Sequence, residues 1–198
     1  MKRNKQAKVY VPPAAPASRQ GKGQTGPVSS GATVNSPTLS PSSDIGDWSA
    51  QIFGTGAWHA AALNIARGAS RYLRAQGCAV VAEIPLADGR RADLMALDAA
   101  GCITILEVKS CLTDFRSDRK WTDYRQWCDR FYFAVDTAFP QDCIPDDCGL
   151  IVADRFDAEA LRDAPEHRLE AARRKAVTLR FARCAAFRLQ GADDPDMW

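Results

Sequence analysis

The pattern of hydrophobic and polar positions divides most of the chain into short apolar runs separated by polar turns. A helix is predicted over residues 56–76, because Trp58 and later apolar residues recur at helical spacing and Thr55 can cap it. Gly77 is expected to end this helix in the left-handed conformation. Three strands, forming a meander, are predicted over residues 78–84, 92–97 and 103–109.

The second half of the pattern begins with a polar, aromatic stretch after Lys109. A short helix is predicted there, with Thr113 or Asp114 as its cap. Strands are predicted over 130–135 and 149–153, followed by an amphipathic basic helix over 172–189. The apolar positions of that helix include Val177, Phe181, Cys184 and Leu189. This order of elements predicts an α/β fold with a mixed central sheet flanked by helices.

The first 47 residues differ from the rest in composition. They are rich in Pro, Gly, Ser and Thr and contain too little apolar surface to offset the entropy lost on ordering. We therefore predict a disordered tail over 1–47 and a folded domain over 48–198. The tail has six basic and two acidic residues, a charge of +4, and the remainder has twenty and twenty-two, a charge of −2. Nucleic-acid binding by the domain would therefore depend on a local basic patch.

Cysteine usage and hydropathy bear on the cellular location. The seven cysteines are scattered without a CxxC pair, and Cys143 and Cys148 lack the further ligands of a zinc site. This usage predicts reduced, buried thiols in a cytosolic protein. No apolar run approaches the roughly 20 residues of a membrane span, so no membrane association is expected.

Two of the predicted strands contain charged residues where an apolar core is expected. Because strand residues alternate between faces, Glu107 and Lys109 share one side of the third strand. If Leu97 pairs with Ile103 across the intervening loop, Asp93 lies opposite Glu107, with Cβ atoms roughly 5 Å apart. A loop one residue shorter would direct the two acids to different faces.

Two carboxylates at this distance repel each other unless one is protonated or a cation lies between them. A hard divalent ion such as Mg²⁺ or Mn²⁺ would relieve the repulsion. Lys109 could then orient or deprotonate a water for phosphodiester hydrolysis. The alternative is a buried network of Asp93, Lys109 and Glu107 that only fixes the strand register. The spacing alone leaves both interpretations open.

At these residues the sequence resembles known families. Asp93 followed by Glu107-Val108-Lys109 is similar to the PD-(D/E)XK nuclease superfamily. The stretches GRRADLMAL, DRKWTDYRQWCDRFYFAV, GLIVAD and RRKAVTLRFAR resemble the MmcB-like DNA repair proteins of bacteria, over roughly residues 55–190. The resemblance implies a restriction-endonuclease-like core and a role in DNA repair. It also implies that Asp93 and Glu107 bind the metal, that the Val108 carbonyl completes the metal shell, and that Lys109 is the catalytic lysine.

The sequence departs from the superfamily pattern at two positions. Ala92 precedes Asp93 where proline is frequent, and the predicted first helix lacks the acidic residue that many relatives have there. Glu83 could substitute for that residue. A two-residue turn at Asp88-Gly89 would direct Glu83 away from Asp93, whereas a bulged turn would bring it alongside.

The segment after Lys109 interleaves cationic and aromatic residues, which can contact phosphates and stack on bases. Its members are Arg116, Arg119, Lys120, Trp121, Tyr124, Arg125, Trp127 and Arg130. The alternative packs Trp121 and Trp127 against the sheet, and we favour it for these two residues. It also pairs the arginines with Asp118, Asp123 and Asp129. Arg119 and Lys120 are the stronger candidates for DNA phosphate contact, with Arg116 and Arg125 as further candidates.

Two further groups have open interpretations. Arg173, Arg174 and Lys175 lie at the start of the last predicted helix, where the helix dipole disfavours cations. They indicate either an anionic partner or a solvated face. His59 could approach the site, be solvated or cap the first predicted helix.

Together these features predict a Mg²⁺- or Mn²⁺-dependent deoxyribonuclease that acts on damaged or structured DNA in bacterial repair. The expected location is the cytoplasm, in association with the nucleoid. One alternative is a catalytically silent DNA-binding repair accessory. Another is a structural adaptor that partner proteins recruit through its tail. The retention of two like charges beside a lysine favours the enzyme.

Overall fold

The computed structural model describes residues 59–118 and 120–194. The predictions made for the tail, for Thr55 and Trp58, and for Arg119 lie outside these ranges. The described residues form an α/β fold with a mixed central sheet and flanking helices, as predicted.

The strands of the described sheet lie in the order in which they occur along the chain. They are β1 (Ala79–Pro85), β2 (Arg91–Leu97), β3 (Ile103–Lys109), β4 (Arg130–Val135), β5 (Gly149–Ala153) and β6 (Ala158–Arg162). β1, β2 and β3 form an antiparallel meander, β3, β4 and β5 are parallel, and β6 is antiparallel to β5. Leu97 pairs with Ile103, which confirms the predicted register of β2 and β3.

The described α-helices are α1 (Ala60–Ala75), α2 (Leu112–Ser117) and α3 (Ala171–Asp193), and two 3₁₀ turns cover Trp121–Gln126 and Gln141–Cys143. α1 begins four residues later than predicted, because His59 has an extended backbone. Gly77 follows α1 with a φ of 82°, as expected for the left-handed position. The predicted cap of α2 is wrong, since the helix starts after Cys111 and Thr113 and Asp114 lie inside it.

The core lies on both faces of the sheet. α1 packs against one face, where Leu106 and Val108 of β3 are buried. α3 and the first 3₁₀ turn cover the other face, where Val177 and Phe181 belong to the same core cluster as Ile103 and Ile105 of β3. β3 is therefore a central strand covered on both sides, so its charged residues are removed from water.

β6 was not predicted from the sequence. Its residues, AEALR, are mostly good helix formers and lack the β-branched side chains typical of strands. Pairing with β5 imposes the extended conformation. In α3, Val177 and Phe181 are buried as expected, but Leu189 is exposed, so its assignment to the apolar face is wrong.

Gly68 fixes how α1 sits on the sheet. A Cβ atom at this position would overlap the backbone carbonyl oxygens of Asp154 and Asp157 in the turn between β5 and β6. Glycine is therefore required where the helix backbone touches that turn.

The thiols and the helices bear on the expected location. All seven cysteines are free, as predicted, but only Cys128 and Cys148 are buried, and Cys111 and Cys143 are exposed. The expectation of buried thiols is therefore wrong for those two residues. None of the described helices is long and apolar enough to cross a membrane.

Candidate active site

An irregularity in the β1–β2 pair brings two acidic residues side by side. Ala82 pairs with Leu94 and Ile84 with Ala92, so Glu83 faces Asp93 between these pairs. Glu83 has a φ of 47°, in the left-handed region that costs a non-glycine residue about 1–2 kcal/mol. Strain of this kind persists where the surroundings impose it, and it is often found at functional sites.

The β1–β2 hairpin loop explains the position of Glu83. Leu86 donates its N–H to the Arg90 carbonyl, so the loop has three residues and Gly89 has the left-handed φ of 85°. The two-residue turn considered from the sequence is therefore wrong, and the alternative that brings Glu83 alongside Asp93 is the one observed. The Glu83 carboxylate pairs with Arg91, with a 3.2 Å separation between oxygen and nitrogen.

Glu83 and Asp93 share a pocket of about 350 Å³ at the carboxyl end of β3. The other residues that line it are His59, Ala62, Arg91, Val108, Ser110, Cys111 and Asp114. Three of the four residues considered as metal ligands, Glu83, Asp93 and Val108, therefore meet in one cavity. Glu107 and Lys109 do not line it, because alternation along β3 directs them to the opposite face from Val108.

Asp93 lies at the end of the β2–β3 ladder. The last backbone pair before it is Leu94 with Leu106, and the Asp93 carboxylate accepts the Val108 N–H at 2.9 Å. Burial raises the pKa of Asp93 to about 6, although the Val108 N–H and Lys109 act to lower it. Asp93 thus occupies the strand end predicted from the sequence, with a carboxyl group shifted toward the neutral form.

Glu107 and Lys109 form a buried cluster on the other side of β3. Their residues are only 8% and 4% exposed. Lys109 Nζ lies 3.3 Å from Glu107 Oε1 and 2.9 Å from Asp118 Oδ2. Glu107 Oε2 is buried and accepts no hydrogen bond within the described residues. One acceptor of the cluster is thus left unsatisfied, which costs free energy in the folded protein.

The electrostatics link Glu107 to Asp93. Burial and then the Asp93 carboxylate raise the pKa of Glu107 to about 8, and Lys109 lowers it only in part. Burial acts to lower the pKa of Lys109, but the carboxylates of Glu107 and Asp118 outweigh it and the pKa is raised. The predicted proximity of the two acids is thus expressed in the raised pKa of Glu107, to which the Asp93 carboxylate contributes.

Two residues of the cluster had no assigned role in the site from the sequence. Asp118 was considered only as a partner for nearby arginines, but it pairs with Lys109. Tyr124 was considered for base stacking, but it is buried and its hydroxyl donates to the Arg91 carbonyl at 3.1 Å. Burial and the carboxylates of Glu107 and Asp93 raise the pKa of Tyr124, and its hydroxyl lies close to Glu107 but donates its one proton to the Arg91 carbonyl, so Glu107 Oε2 stays unpartnered among the described residues. One feature of the sequence indicated these contacts, because a lysine on a predicted buried strand needs more than one anionic neighbour.

The fit of a divalent cation can be tested against these contacts. No group of three or more His, Cys, Asp or Glu residues within the described ranges is arranged to hold a metal ion. In favour of a cation are the unsatisfied Glu107 Oε2 and the raised pKa values of Asp93 and Glu107. Two carboxylates and a backbone carbonyl are hard oxygen donors, which Mg²⁺ prefers, and Mg²⁺ commonly uses one or two carboxylates with water. The donor types therefore suit a partly solvated Mg²⁺, but Glu107 lies on the other face of β3 from the pocket that Asp93 and Val108 share.

The aromatic residues of the following segment pack inward. Trp121 stacks on Phe131 with ring centroids 5.4 Å apart, which confirms the interpretation favoured for it. Trp127 is partly buried against the core and donates its indole N–H to Asp88 at 2.9 Å. These two tryptophans therefore serve the fold of the segment.

The cations of this segment divide into two groups. Arg125 pairs with Asp147 at 2.7 Å and lies over the Trp121 ring, so it is committed within the molecule. Arg116 and Lys120 are exposed. Phosphate contact by Arg116 and Lys120 stays a prediction, as it does for Arg119, which lies outside the described residues.

The alternative that pairs the arginines of this segment with three nearby aspartates is not observed among the described residues. Asp118 pairs with Lys109, Asp123 with Arg90 and Asp129 with Arg174. Each aspartate is held by a cation from another part of the chain.

The remaining cationic candidates lie away from the site. Arg174 is held by Asp129 and the Gly101 carbonyl, and Arg173 contacts Gln126 and the Trp127 ring. Lys175 is exposed. His59 is exposed and lines the pocket beside Asp93, and its side chain makes no capping hydrogen bond with α1.

Comparison with known proteins gives two matches. The family model described as DNA repair protein MmcB-like matches residues 53–196. The SPO1766 protein of unknown function from Silicibacter pomeroyi is a solved structure similar to this chain, with 45% sequence identity and a TM-score of 0.68. The match covers 70% of this chain and 94% of that chain. No curated protein matches the chain.

Proposed function

This chain belongs to the MmcB-like family of DNA repair proteins, and from that premise we propose that it is a nuclease that hydrolyses phosphodiester bonds in damaged or structured DNA. The proposed site consists of Asp93, Glu107 and Lys109, in a core related to the PD-(D/E)XK nucleases. The proposed cofactor is Mg²⁺ or Mn²⁺. We place the activity in the cytoplasm, on nucleoid DNA.

The unsatisfied oxygen of Glu107 is the observation that carries this proposal. A buried carboxylate oxygen without a hydrogen-bond partner is costly, and a second carboxylate nearby increases that cost. A network that served only the strand register would be expected to satisfy this atom. A divalent cation would offset the repulsion between Asp93 and Glu107 and use the spare acceptor.

The residues that would hold the cation are Asp93 and the Val108 carbonyl, with Glu83 adjacent in the pocket, and Glu107, whose carboxylate would have to reach them from the other face of β3. When bound, Mg²⁺ supplies Lewis acidity toward a phosphate oxygen and lowers the pKa of water. Glu83 is held by Arg91, so its participation would require that ion pair to open.

Lys109 supplies the positive charge of the site. Its ammonium can stabilise negative charge that develops on the phosphate, and its position on the rigid β3 strand fixes its direction. Asp118 shares this ammonium, so DNA phosphate must compete with Asp118 for it. Arg116 and Lys120 are exposed and available to hold the DNA backbone, with Arg119 between them in the sequence.

The test is a nuclease assay across single-stranded, duplex, flapped and branched DNA with Mg²⁺ or Mn²⁺. Lys109→Ala should abolish cleavage and leave DNA affinity within a few-fold, because its role lies mainly in the transition state. The matched control is the pair Arg119→Ala and Lys120→Ala. It should weaken binding and reduce the salt slope by about two counterions. Cleavage by Lys109→Ala at the wild-type rate would contradict the proposal.

A second candidate is a DNA-binding repair accessory without catalysis. Lys109 is buried and neutralised by Asp118, and the described residues offer no group of three side-chain ligands for a metal. Wild-type protein that binds DNA, cleaves none of these substrates with either metal, and matches Lys109→Ala in repair-deficient cells would support the accessory function.

A further inference from the structure

Positive charge in the folded domain is concentrated on α3. The helix has six cations and one acidic residue, a charge of +5. The rest of residues 48–198 has fourteen cations and twenty-one acidic residues, a charge of −7. α3 is therefore the local basic patch on which nucleic-acid binding by this domain would depend.

Most of the α3 cations are not neutralised by carboxylates of the described residues. Arg174 has a carboxylate partner. Arg173 donates to neutral acceptors of the first 3₁₀ turn, and Arg180 donates to a backbone carbonyl. Lys175 and Arg183 are exposed to solvent. The helix therefore keeps its attraction for an anionic ligand.

Apolar side chains lie among these cations. Leu179 is 54% exposed and Phe187 is 48% exposed, and both line a groove of about 350 Å³, which we call the α3 groove. Its other residues are Ala176, Arg180, Arg183 and Cys184. The Arg183 guanidinium lies 5.3 Å from the centre of the Phe187 ring. The α3 groove therefore offers an aromatic ring and cations to the same ligand.

The basic surface continues toward the start of the helix. A second cavity, of about 720 Å³, shares Leu179 with the α3 groove and is lined by the cations Arg168, Arg174 and Lys175. Glu170 is the only acidic residue among the described residues that line it. From Lys175 to Phe187 the helix rises about 18 Å, which is long enough to follow several phosphates of one strand.

The contacts of α3 with the sheet lead toward the edge strand β1. Arg180 donates to the Pro85 carbonyl at 2.9 Å, and Arg188 donates to the Glu83 carbonyl at 3.2 Å. Glu83 also lines the Asp93 pocket. The second half of α3 therefore borders the strand that supplies Glu83 to that pocket.

The regular charge of a nucleic acid suits this surface better than a protein partner does. A protein would have to supply carboxylates at positions that match the α3 cations, whereas a nucleic acid supplies one phosphate with every nucleotide. The faces of its bases also supply a partner for the Phe187 ring. The inference rests on the proposed function in taking DNA as the ligand, but it does not depend on cleavage.

The exposed ring of Phe187 favours single-stranded DNA over a duplex. Unpaired bases can stack on an aromatic side chain. In a duplex the base faces are already stacked on each other, and a helix that lies on its surface meets mainly phosphates and sugars. Duplex DNA would therefore use the cations of α3 and leave Leu179 and Phe187 without partners.

We propose that α3 is a binding surface for single-stranded DNA. Phe187 stacks on an unpaired base, and Lys175 and Arg183 contact phosphates on either side of Leu179. This surface is separate from the cations that follow β3, so it gives the protein a second contact with DNA. A single strand held there lies beside the edge strand that borders the Asp93 pocket.

Fluorescence anisotropy of the full-length chain tests the proposal, in EDTA so that cleavage cannot contribute. The probes are a labelled single-stranded oligonucleotide of mixed sequence and the duplex that it forms with its complement. The wild type should bind the single strand at least about fivefold more tightly than the duplex, because one stacked base contributes a factor of this size or more.

Two variants separate stacking from charge. Phe187→Ala should weaken single-strand binding at least about fivefold and leave its salt dependence unchanged, because stacking releases no counterions. Lys175→Gln with Arg183→Gln should weaken binding and make the slope of log K against log salt shallower by about 1.4, since each phosphate contact on a single strand contributes about 0.7.

Arg155 and Phe156, between β5 and β6, provide a matched control. Both are exposed, and the Arg155 guanidinium lies 5.9 Å from the centre of the Phe156 ring. Arg155→Gln and Phe156→Ala should both bind the single strand like the wild type. Circular dichroism would verify that each variant is folded.

Three results would overturn the proposal. The first is single-strand binding by Phe187→Ala that equals the wild type. The second is equal affinity of the wild type for the single strand and the duplex. The third is a Glu- and Leu-rich peptide that binds the wild type but not Phe187→Ala, while single-stranded DNA does not bind, because this would assign the surface to a protein partner.

These results are independent of the nuclease assay. Wild-type protein that binds single-stranded DNA through α3 but cleaves no DNA would support this inference and contradict the proposed nuclease. Wild-type protein that cleaves DNA at a rate and affinity unaffected by the α3 variants would contradict this inference alone.

Discussion

Two buried carboxylates lie at opposite ends of β3, and their surroundings differ. Asp129, beside the start of the strand, accepts the backbone N–H groups of Ile103 and Leu169 and two hydrogen bonds from the Arg174 guanidinium. Glu107, near the end of the strand, accepts one hydrogen bond from Lys109, and its second oxygen accepts none within the described residues.

The pKa shifts of these two residues have opposite signs. Burial raises the pKa of both carboxyl groups. For Asp129, Arg174 and the two N–H groups outweigh burial, so its pKa is lowered. For Glu107, burial and Asp93 prevail and its pKa is raised to about 8. The charged Asp129 carboxylate therefore stabilises the folded protein. The charged Glu107 carboxylate destabilises it, and a bound ligand can reduce that cost.

The largest expected effect is at Asp129, whose carboxylate oxygens are hydrogen-bonded. Asp129→Asn should destabilise the protein by about 3 kcal/mol, because it removes the charge that pairs with Arg174 and disrupts the buried bonds. Urea unfolding measures this loss. Asp123→Asn, in the pair with Arg90 where the carboxylate is more exposed than Asp129, is the matched control and should cost no more than about 1 kcal/mol. Equal losses would remove the distinction between the buried and exposed pairs.

Glu107→Gln should have the opposite effect at alkaline pH. A carboxyl group with a raised folded pKa contributes stability below its ordinary value near 4.5, and this is lost as pH rises through about 8. Between these two pKa values, the free energy of unfolding falls by at most about 1.4 kcal/mol per pH unit for this one proton. Melting temperatures between pH 5 and 9 should fall less steeply for Glu107→Gln than for the wild type. Parallel curves would show that Glu107 is charged throughout.

Divalent cations should stabilise the protein through Asp93 and Glu107 and not through Asp129. Mg²⁺ or Mn²⁺ at ten times its Kd should stabilise the wild type by about 1.4 kcal/mol through mass action, and raise its melting temperature. Asp93→Asn with Glu107→Gln should remove this response, whereas Asp123→Asn should retain it. Calorimetry that detects neither metal, with or without DNA, would count against the site.

The smallest expected effect concerns Tyr124, which lies over the Glu107 cluster. Tyr124→Phe removes the hydrogen bond to the Arg91 carbonyl and should cost about 1 kcal/mol. Chemical denaturation at pH 7 would measure it. A much larger loss would mean that the hydroxyl also supports the charge cluster.

The features that follow from the regular alternation of side chains along strands were predicted from the sequence. The register of β2 and β3 followed from a short loop between two apolar runs, and it places Asp93 beside Glu107 at the strand ends. The burial of Lys109 followed from its position on a strand with two apolar faces.

Features that depend on tertiary contacts were missed. The pairing of Lys109 with Asp118 and of Asp129 with Arg174 joins residues whose proximity no local period encodes. The left-handed backbone of Glu83 is rare for glutamate, so no propensity predicts it. β6 has a helix-forming composition and is a strand only because β5 pairs with it.

The contact at Gly68 has a consequence for the distant pocket. α1 rests on the turn between β5 and β6 at Gly68, and about 9 Å back along the same helix Ala62, with His59 just before the helix, forms a wall of the Asp93 pocket. A side chain at position 68 would lift the middle of the helix off the turn, and a rigid helix would carry that tilt to its first residues. The width of the Asp93 pocket therefore depends on a turn at the far edge of the sheet that has no residue in the pocket.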